Sequence, residues 1–228
     1  MDKVFVVIGL GTFGRQLCAT FMDRGAGVIA VDNQASLIEK VKDEVTQAIR
    51  IDSTDEESLN QIPLEDVQTA IVAIGDNIEA SILTTALLKK RGIPYILSRA
   101  ISEIHMQVLR QIGADEVVNL EIDEGKRIAQ RLVSPEIVER TILGESLSLA
   151  ELKVPKVLTG KPLIKLDLRS RFRVSIVIIR RVRISVDEIG NPTRTEQALF
   201  PNAETVLEEE DSLLVVGKNA DIEAFTEL

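Results

Sequence analysis

The chain has 228 residues, room for one large domain or two small ones, is 45% hydrophobic and 28% charged, and carries a net charge of −9. So acidic a surface opposes nonspecific binding to nucleic acid or anionic lipid, and no apolar run reaches the length that spans a bilayer. A single cysteine excludes a disulfide framework and fits the cytosol, as does an N-terminus, Met1-Asp2-Lys3, that leads straight into a strand with no signal peptide.

Residues 4–8 are a continuous apolar run, the length of a buried strand. The run breaks into Gly9-Leu10-Gly11-Thr12-Phe13-Gly14 and then into a helical pattern with Leu17, Cys18, Phe21 and Met22 on one face. Strand, glycine turn and helix are the context of a dinucleotide-binding fingerprint. Gly9 permits the tight turn, Gly11 the approach of a pyrophosphate, and Gly14 the close seat of helix on strand. Amides at the helix start then hold phosphate. On that helix Cys18 reads as a small core hydrophobe.

Residues 28–32 make a second strand ending at Asp32, 18 residues past Gly14. The spacing suits a carboxylate that binds a ribose diol and repels a 2′-phosphate. The alternative is a cap for a helix over 36–45, a role Asn33 fits equally well. A third strand over 48–51 ends at Asp52-Ser53-Thr54-Asp55, with a helix pattern from 55–57. Asp52 and Ser53 fit contacts to adenine or ribose, and Ser53, Thr54 and Asp55 fit plain helix capping as well. The fourth strand, 70–74, ends at Gly75, and the next helix is expected to bury Ile78, Ile82, Leu83, Ala86 and Leu87. A fifth strand over 94–98 leaves Arg99 at its end, either toward the crevice as a phosphate partner or in a surface ion pair. His105, on a helix over 102–112, is expected to face solvent. With a sixth strand at 116–118, the β-α repeats predict a doubly wound parallel sheet, an α/β Rossmann-like domain.

A helical stretch with Ile128, Ala129, Leu132 and Val133 on one face follows. It is expected to break at Pro135 and resume with Ile137, Val138, Ile142 and Leu143, leaving residues 121–143 as an amphipathic segment free for interaction. Beyond 144 the character changes to a small α+β domain. It has an alternating stretch at 149–154, a short helix over 162–168 and a strand over 172–186. That strand places Val174, Ile176, Ile178, Val182, Ile184 and Val186 on one face, where Arg180 intrudes, so that the strand is expected to bend or to leave the core there. Arg180, Arg181 and Arg183 read as a solvated sheet edge. A hairpin turn at Gly190-Asn191-Pro192, a strand at 213–217 and a terminal helix at 221–225 complete the chain, with a domain boundary at 144/145. So small a second domain is a plausible dimer. No Ser-His-Asp set and no histidine–cysteine metal cluster is present, and the single histidine and single tyrosine fit no hydride path.

Three stretches of the N-half, Val72-Ala73-Ile74-Gly75-x-Asn77-x-x-Ala80-Ser81, Val31-Asp32 and Ile112-Gly113-Ala114-Asp115, join the glycine motif. With Pro201-x-x-x-Thr205-Val206-Leu207-x-x-x-Asp211-x-Leu213 in the C-half, the whole chain resembles the RCK (KTN) family, cytoplasmic regulatory subunits of Ktr and Trk potassium uptake systems. The resemblance implies dimers assembled into an octameric ring beneath a membrane channel subunit, at the inner face of the membrane and without insertion into it. It implies ATP or ADP, or alternatively NAD or NADH, in the N-domain. By position, Gly9 to Gly14 hold phosphate, Asp32 the ribose, Ala73, Ile74 and Gly75 the adenosine, and Arg99 the phosphates. Glu121 matches the acid of the family's Pro-Glu turn, with Leu120 in place of the proline. It would face a divalent cation or Na+ near the γ-phosphates at a dimer interface. Thr12 stands where several members have arginine, which weakens γ-phosphate sensing unless Arg15 substitutes. Ile164, Arg169 and Pro201 fall where some relatives bind cyclic di-AMP. From other classes, the alternatives are an NAD-dependent oxidoreductase and a redox-responsive DNA-binding regulator. The acidic balance and the lack of a clear helix-turn-helix oppose the second.

Overall fold

In a computed structural model, which describes residues 3–186 and 192–228, the apolar run Val4–Ile8 is strand β1. It lies inside a six-stranded parallel sheet of order β3-β2-β1-β4-β5-β6, with β2 Gly27–Asp32, β3 Gln47–Arg50, β4 Thr69–Val72, β5 Tyr95–Arg99 and β6 Glu116–Val118. Strands buried on both faces need apolar residues at every position, and β1 shows why. Val6 and Ile8 enter one core with Ile29, Val31, Val72 and Ile96, while Val7 enters another with Val28, Ala30 and Ile71. The α/β, doubly wound expectation is met. Helices α1 Thr12–Asp23, α2 Ala35–Val41, α3 Ile78–Lys90 and α4 Glu103–Gln111 join the strands, except between β3 and β4. There the expected helix is only a 3-10 turn, Ser58–Gln61, whose start is held by Asp55 accepting from the Ser58 N–H at 2.9 Å.

Two expectations for the helices fail. The buried face of α3 is Ser81, Thr84, Thr85 and Leu88, while Ile78 and Leu83 are exposed. Small hydroxyl residues let the helix sit close: Thr84 Oγ1 lies 2.8 Å from Ser53 Oγ and Thr85 Oγ1 3.0 Å from Ser98 Oγ, while Ser81 Oγ is buried without a hydrogen-bond partner among the described residues. His105 is buried, not solvent-facing. It lies in the first turn of α4, which Ser102 caps, and its Nδ1 accepts weakly from the Ile101 N–H at 3.4 Å. Burial lowers its pKa from the usual histidine value.

Helix α5, Leu120–Val133, starts at the side chain of Asn119, which accepts from the Ile122 N–H, and buries none of its residues. The chain divides into two compact units inside it, Met1–Gly125 and Lys126–Leu228, ahead of residue 144. Residues expected to resume the helix are strand β7, Ile137–Ile142, antiparallel to β8, Leu147–Lys153. β-branched Ile137, Val138, Thr141 and Ile142 favour the extended chain once Pro135 has stopped the helix.

The second unit is a five-stranded sheet of order β10-β9-β11-β8-β7, with β9 Ser175–Val186, β10 Pro192–Leu199 and β11 Ser212–Lys218. Its core holds Leu152, Ile179, Leu213, Val215 and Ile222, with the Phe172 and Phe225 rings edge to face at 5.5 Å. The expected short helix is two, α6 Leu163–Leu166 and α7 Leu168–Phe172, split by Asp167 at φ +42°. Helix α8, Asn219–Thr226, closes the chain.

In β9 the expected single apolar face is broken by a bulge. The register passes from Val215↔Ile176 to Leu214↔Ile178, so Ile179, of the other parity, is the fully buried residue. Nor do the arginines make a solvated edge, because β9 is internal to the sheet. Arg181 grips Asp211 at 2.8 and 2.7 Å and pairs with Glu208, while Arg180 reaches Glu151 at 2.8 Å. The turn expected at Gly190-Asn191 lies outside the described residues. Among the described residues no helix is long and apolar enough to cross a membrane.

Candidate functional site

The sheet order reverses between β1 and β4, and the crevice beyond the carboxyl ends of those strands is where such folds take ligands. A cleft of about 450 Å³ opens there. Of the residues predicted from sequence, Gly9, Gly11, Asp32, Asn33, Asp52, Ser53, Ala73, Ile74, Gly75 and Arg99 line it. Ile8, Gln34, Leu37, Ile51, Asp76, Asn77 and Ala80 line it too. Gln34, Asp76 and Asn77 were findable by the rule that polar residues past a strand's carboxyl end face the ligand. Leu37 carries no such signal.

The remaining predicted residues support the cleft from outside. Leu10 is fully buried and donates its N–H to Asp32 Oδ2 at 2.7 Å, while Gln34 donates to Oδ1 at 2.8 Å. Asp32 therefore ties the glycine loop to the end of β2. It accepts from the residue before α2, and neither it nor Asn33 caps that helix by a side-chain bond. Gly9 takes φ +96°, a left-handed conformation that other residues adopt with strain. A Cβ on Gly14 would lie 1.9 Å from the Gly9 carbonyl oxygen, so only glycine lets α1 sit against the loop. Thr12 begins α1 and is exposed, while Phe13 packs into the core beside Val7 and Ala73. Arg15 donates to the Leu10 carbonyl at 2.7 Å, bracing the loop.

Helix α1 has no side-chain cap and no acid in its first turn, whereas Asn77 caps α3 and Ser102 caps α4. Its first amides stay available beside Gly11, whose Cβ position is open to 4 Å. An uncapped, positively polarised helix start beside an open glycine has the geometry and polarity to accept an anion. Among the described residues, the one cation lining the cleft is Arg99, whose guanidinium lies over Gly75, where a Cβ would come 2.6 Å from Nη1. Arg99 Nη2 also donates to Glu121 Oε1, in the first turn of α5. Glu121 is held below the ordinary carboxylate pKa first by its own backbone N–H and then by Arg99. From one chain it offers a single carboxylate, and among the described residues no group of three metal-type side chains gathers. A cation there would need donors beyond this chain.

A second cavity, about 540 Å³, lies in the C-terminal unit. Ile164, Arg169 and Pro201 line it together with Asp167, Ser175 and Asn202, and Arg169 Nε donates to Ser175 Oγ at 3.1 Å.

Residues 5–120 match the TrkA-N domain and residues 148–228 the TrkA-C domain. Ktr system potassium uptake protein C of Bacillus subtilis (strain 168) is 38% identical over 99% of this chain and 96% of that protein. The chain belongs to the Ktr family of potassium uptake proteins. Ktr system potassium uptake protein A of the same organism is 33% identical over 98% of this chain and 96% of that relative. Among solved structures, the GsuK RCK domain superposes with a TM-score of 0.65 at 18% identity, covering all of this chain and 48% of that one. This Ktr-family chain thus has the RCK fold and spans about half the GsuK chain. Family and fold agree with the resemblance drawn from the motifs.

Proposed function

We propose that this chain is a nucleotide-sensing regulatory subunit that gates a membrane potassium channel or transporter. The observation that carries the reading is the cleft at the β1/β4 crevice. It joins an uncapped helix start, an open glycine and Arg99 for phosphate to Asp32 and Asp52 for a ribose. ATP and ADP are the proposed ligands, with NAD or NADH as alternatives. A cation beside Glu121, shared with a second copy, belongs to the same reading, as do dimers closing into an octameric ring under the channel subunit at the cytoplasmic face. The domain boundary at 144/145 separates the sensing half from the TrkA-C half in this scheme.

The mechanism is a population shift: a ligand moves an equilibrium only by its differential affinity for two states. Taking a gate from mostly closed to mostly open needs about 5 kcal/mol, so eight coupled sites each supply under ~1 kcal/mol. One extra phosphate contact is of that size. An NAD-dependent oxidoreductase is the weaker alternative, since among the described residues no His, Tyr, Lys or Cys lines the cleft to move a proton beside a hydride. Calorimetric titration with ATP, ADP and NAD, followed by potassium flux in vesicles holding the channel subunit, tests the reading. ATP and ADP should give different heats and different flux; identical flux under both sinks it.

A second reading concerns the C-terminal unit. The cavity holding Ile164, Arg169 and Pro201 supports a cyclic di-AMP site completed by a second copy, with Arg169 for phosphate. No heat on titration with cyclic di-AMP disposes of it.

A further inference from the structure

Arg99 is one cation with two claims on it. Its guanidinium lies in the cleft over Gly75, and its Nη2 reaches out to Glu121. The bond to Glu121 is single-pronged, the Glu121 side chain is 60% exposed, and Arg99 Nε is buried with no hydrogen-bond partner among the described residues. A guanidinium has five donors in a planar fork and binds anions best in pairs of parallel bonds. The Glu121 contact leaves that capacity unused. A phosphate chain with its anionic end beside Gly75 offers more charge and more acceptor oxygens than a single solvated carboxylate. Both anions cannot keep the same guanidinium at full strength.

We propose that Glu121 and the terminal phosphates of a bound nucleotide compete for Arg99, which makes Glu121 the residue that sets discrimination among nucleotides by phosphate charge. This rests on the nucleotide reading of the cleft. Where no phosphate reaches Arg99, Glu121 holds it. A ligand with strong terminal charge draws Arg99 inward and frees Glu121, in the first turn of a helix that begins in the first compact unit and continues into the second. A ligand with little charge at that point leaves the pair closed. Affinity for phosphate is thereby graded, and the report of occupancy starts at α5. The competition differs from a ligand role for Glu121 in sign: a competitor weakens binding, and a ligand strengthens it.

The test is calorimetric titration of the full chain with ATP, ADP and adenosine in EDTA, which removes any cation that Glu121 could hold. Glu121→Gln should bind ATP roughly two- to fivefold tighter, the scale of one half-exposed ion pair. Its affinity for adenosine should not change, and Glu121→Ala should move the same way. In an Arg99→Gln background the Glu121 substitution should have no effect, because the group competed for is gone. Weaker ATP binding by Glu121→Gln would show that Glu121 positions Arg99 productively, and would overturn the proposal. So would an equal change for adenosine, or no change in a wild-type chain that does bind ATP. A wild-type chain that takes up no nucleotide overturns the reading beneath it as well.

Discussion

The contact between Gly14 and the glycine loop gives a prediction that separates folding from ligand binding. A Cβ on Gly14 would stand 1.9 Å from the Gly9 carbonyl oxygen and 3.0 Å from its carbon, well inside contact distance with backbone that cannot rotate away. Gly14→Ala must therefore push α1 off the loop. Overpacking of this kind destabilises by about 1–3 kcal/mol. Gly11→Ala is the matched control: φ is −60°, ψ −172°, and nothing lies within 4 Å of its Cβ. It should leave the fold intact, or stabilise it slightly by restricting the unfolded chain, while blocking phosphate approach. The protein carries its own probe in Cys18, the single cysteine, 1% exposed on α1, with its pKa raised to about 11 chiefly by burial. Its labelling by a thiol reagent requires α1 to open. If opening is in rapid equilibrium, 1–3 kcal/mol makes labelling about 5- to 150-fold faster. Gly14→Ala should show that acceleration and Gly11→Ala should not, while both lose nucleotide binding. Wild-type labelling in Gly14→Ala, or faster labelling in Gly11→Ala than in Gly14→Ala, would refute the reasoning.

Asp32→Ala strands the amide of buried Leu10, so beyond losing a ribose partner it should destabilise the N-terminal unit by about 1–3 kcal/mol, measured by chemical denaturation. Asp211→Ala takes the bidentate partner from Arg181, only 11% exposed, but leaves Glu208 beside it, and should lower the stability of the C-terminal unit by about 1–3 kcal/mol in calorimetry. His105 should make stability depend on pH near neutrality. Its folded pKa is depressed, so between that value and the unfolded value of about 6.5 the unfolded chain binds more protons. Stability is then full above pH ~6.5 and falls as the pH drops through the window. Since no other histidine exists, His105→Gln should flatten the curve there, and an unchanged slope between pH 6.5 and 5.5 would count against it.

The sequence alone determined the parallel sheet, the glycine loop and the cleft, because each is written in local terms. An apolar run of strand length, glycines at fixed offsets and an acid closing β2 depend on neighbours in the chain, and the crevice then follows from the order of β-α units. The rest needed contacts between distant residues. Periodicity counted Ile78 and Leu83 as core and passed over Thr84 and Thr85, since only the partners Ser53 and Ser98 let those hydroxyls be buried. Residues 137–142 alternate weakly enough to pass for helix until β8 offers them an edge. Arg181 looked solvated because Asp211, its buried carboxylate partner, lies about 30 residues away in sequence. Arg99, readable as either a phosphate ligand or a surface pair, is placed over Gly75 and against Glu121 together only by the fold. That double placement arises because β5 and α5 end and begin at the same edge of the sheet.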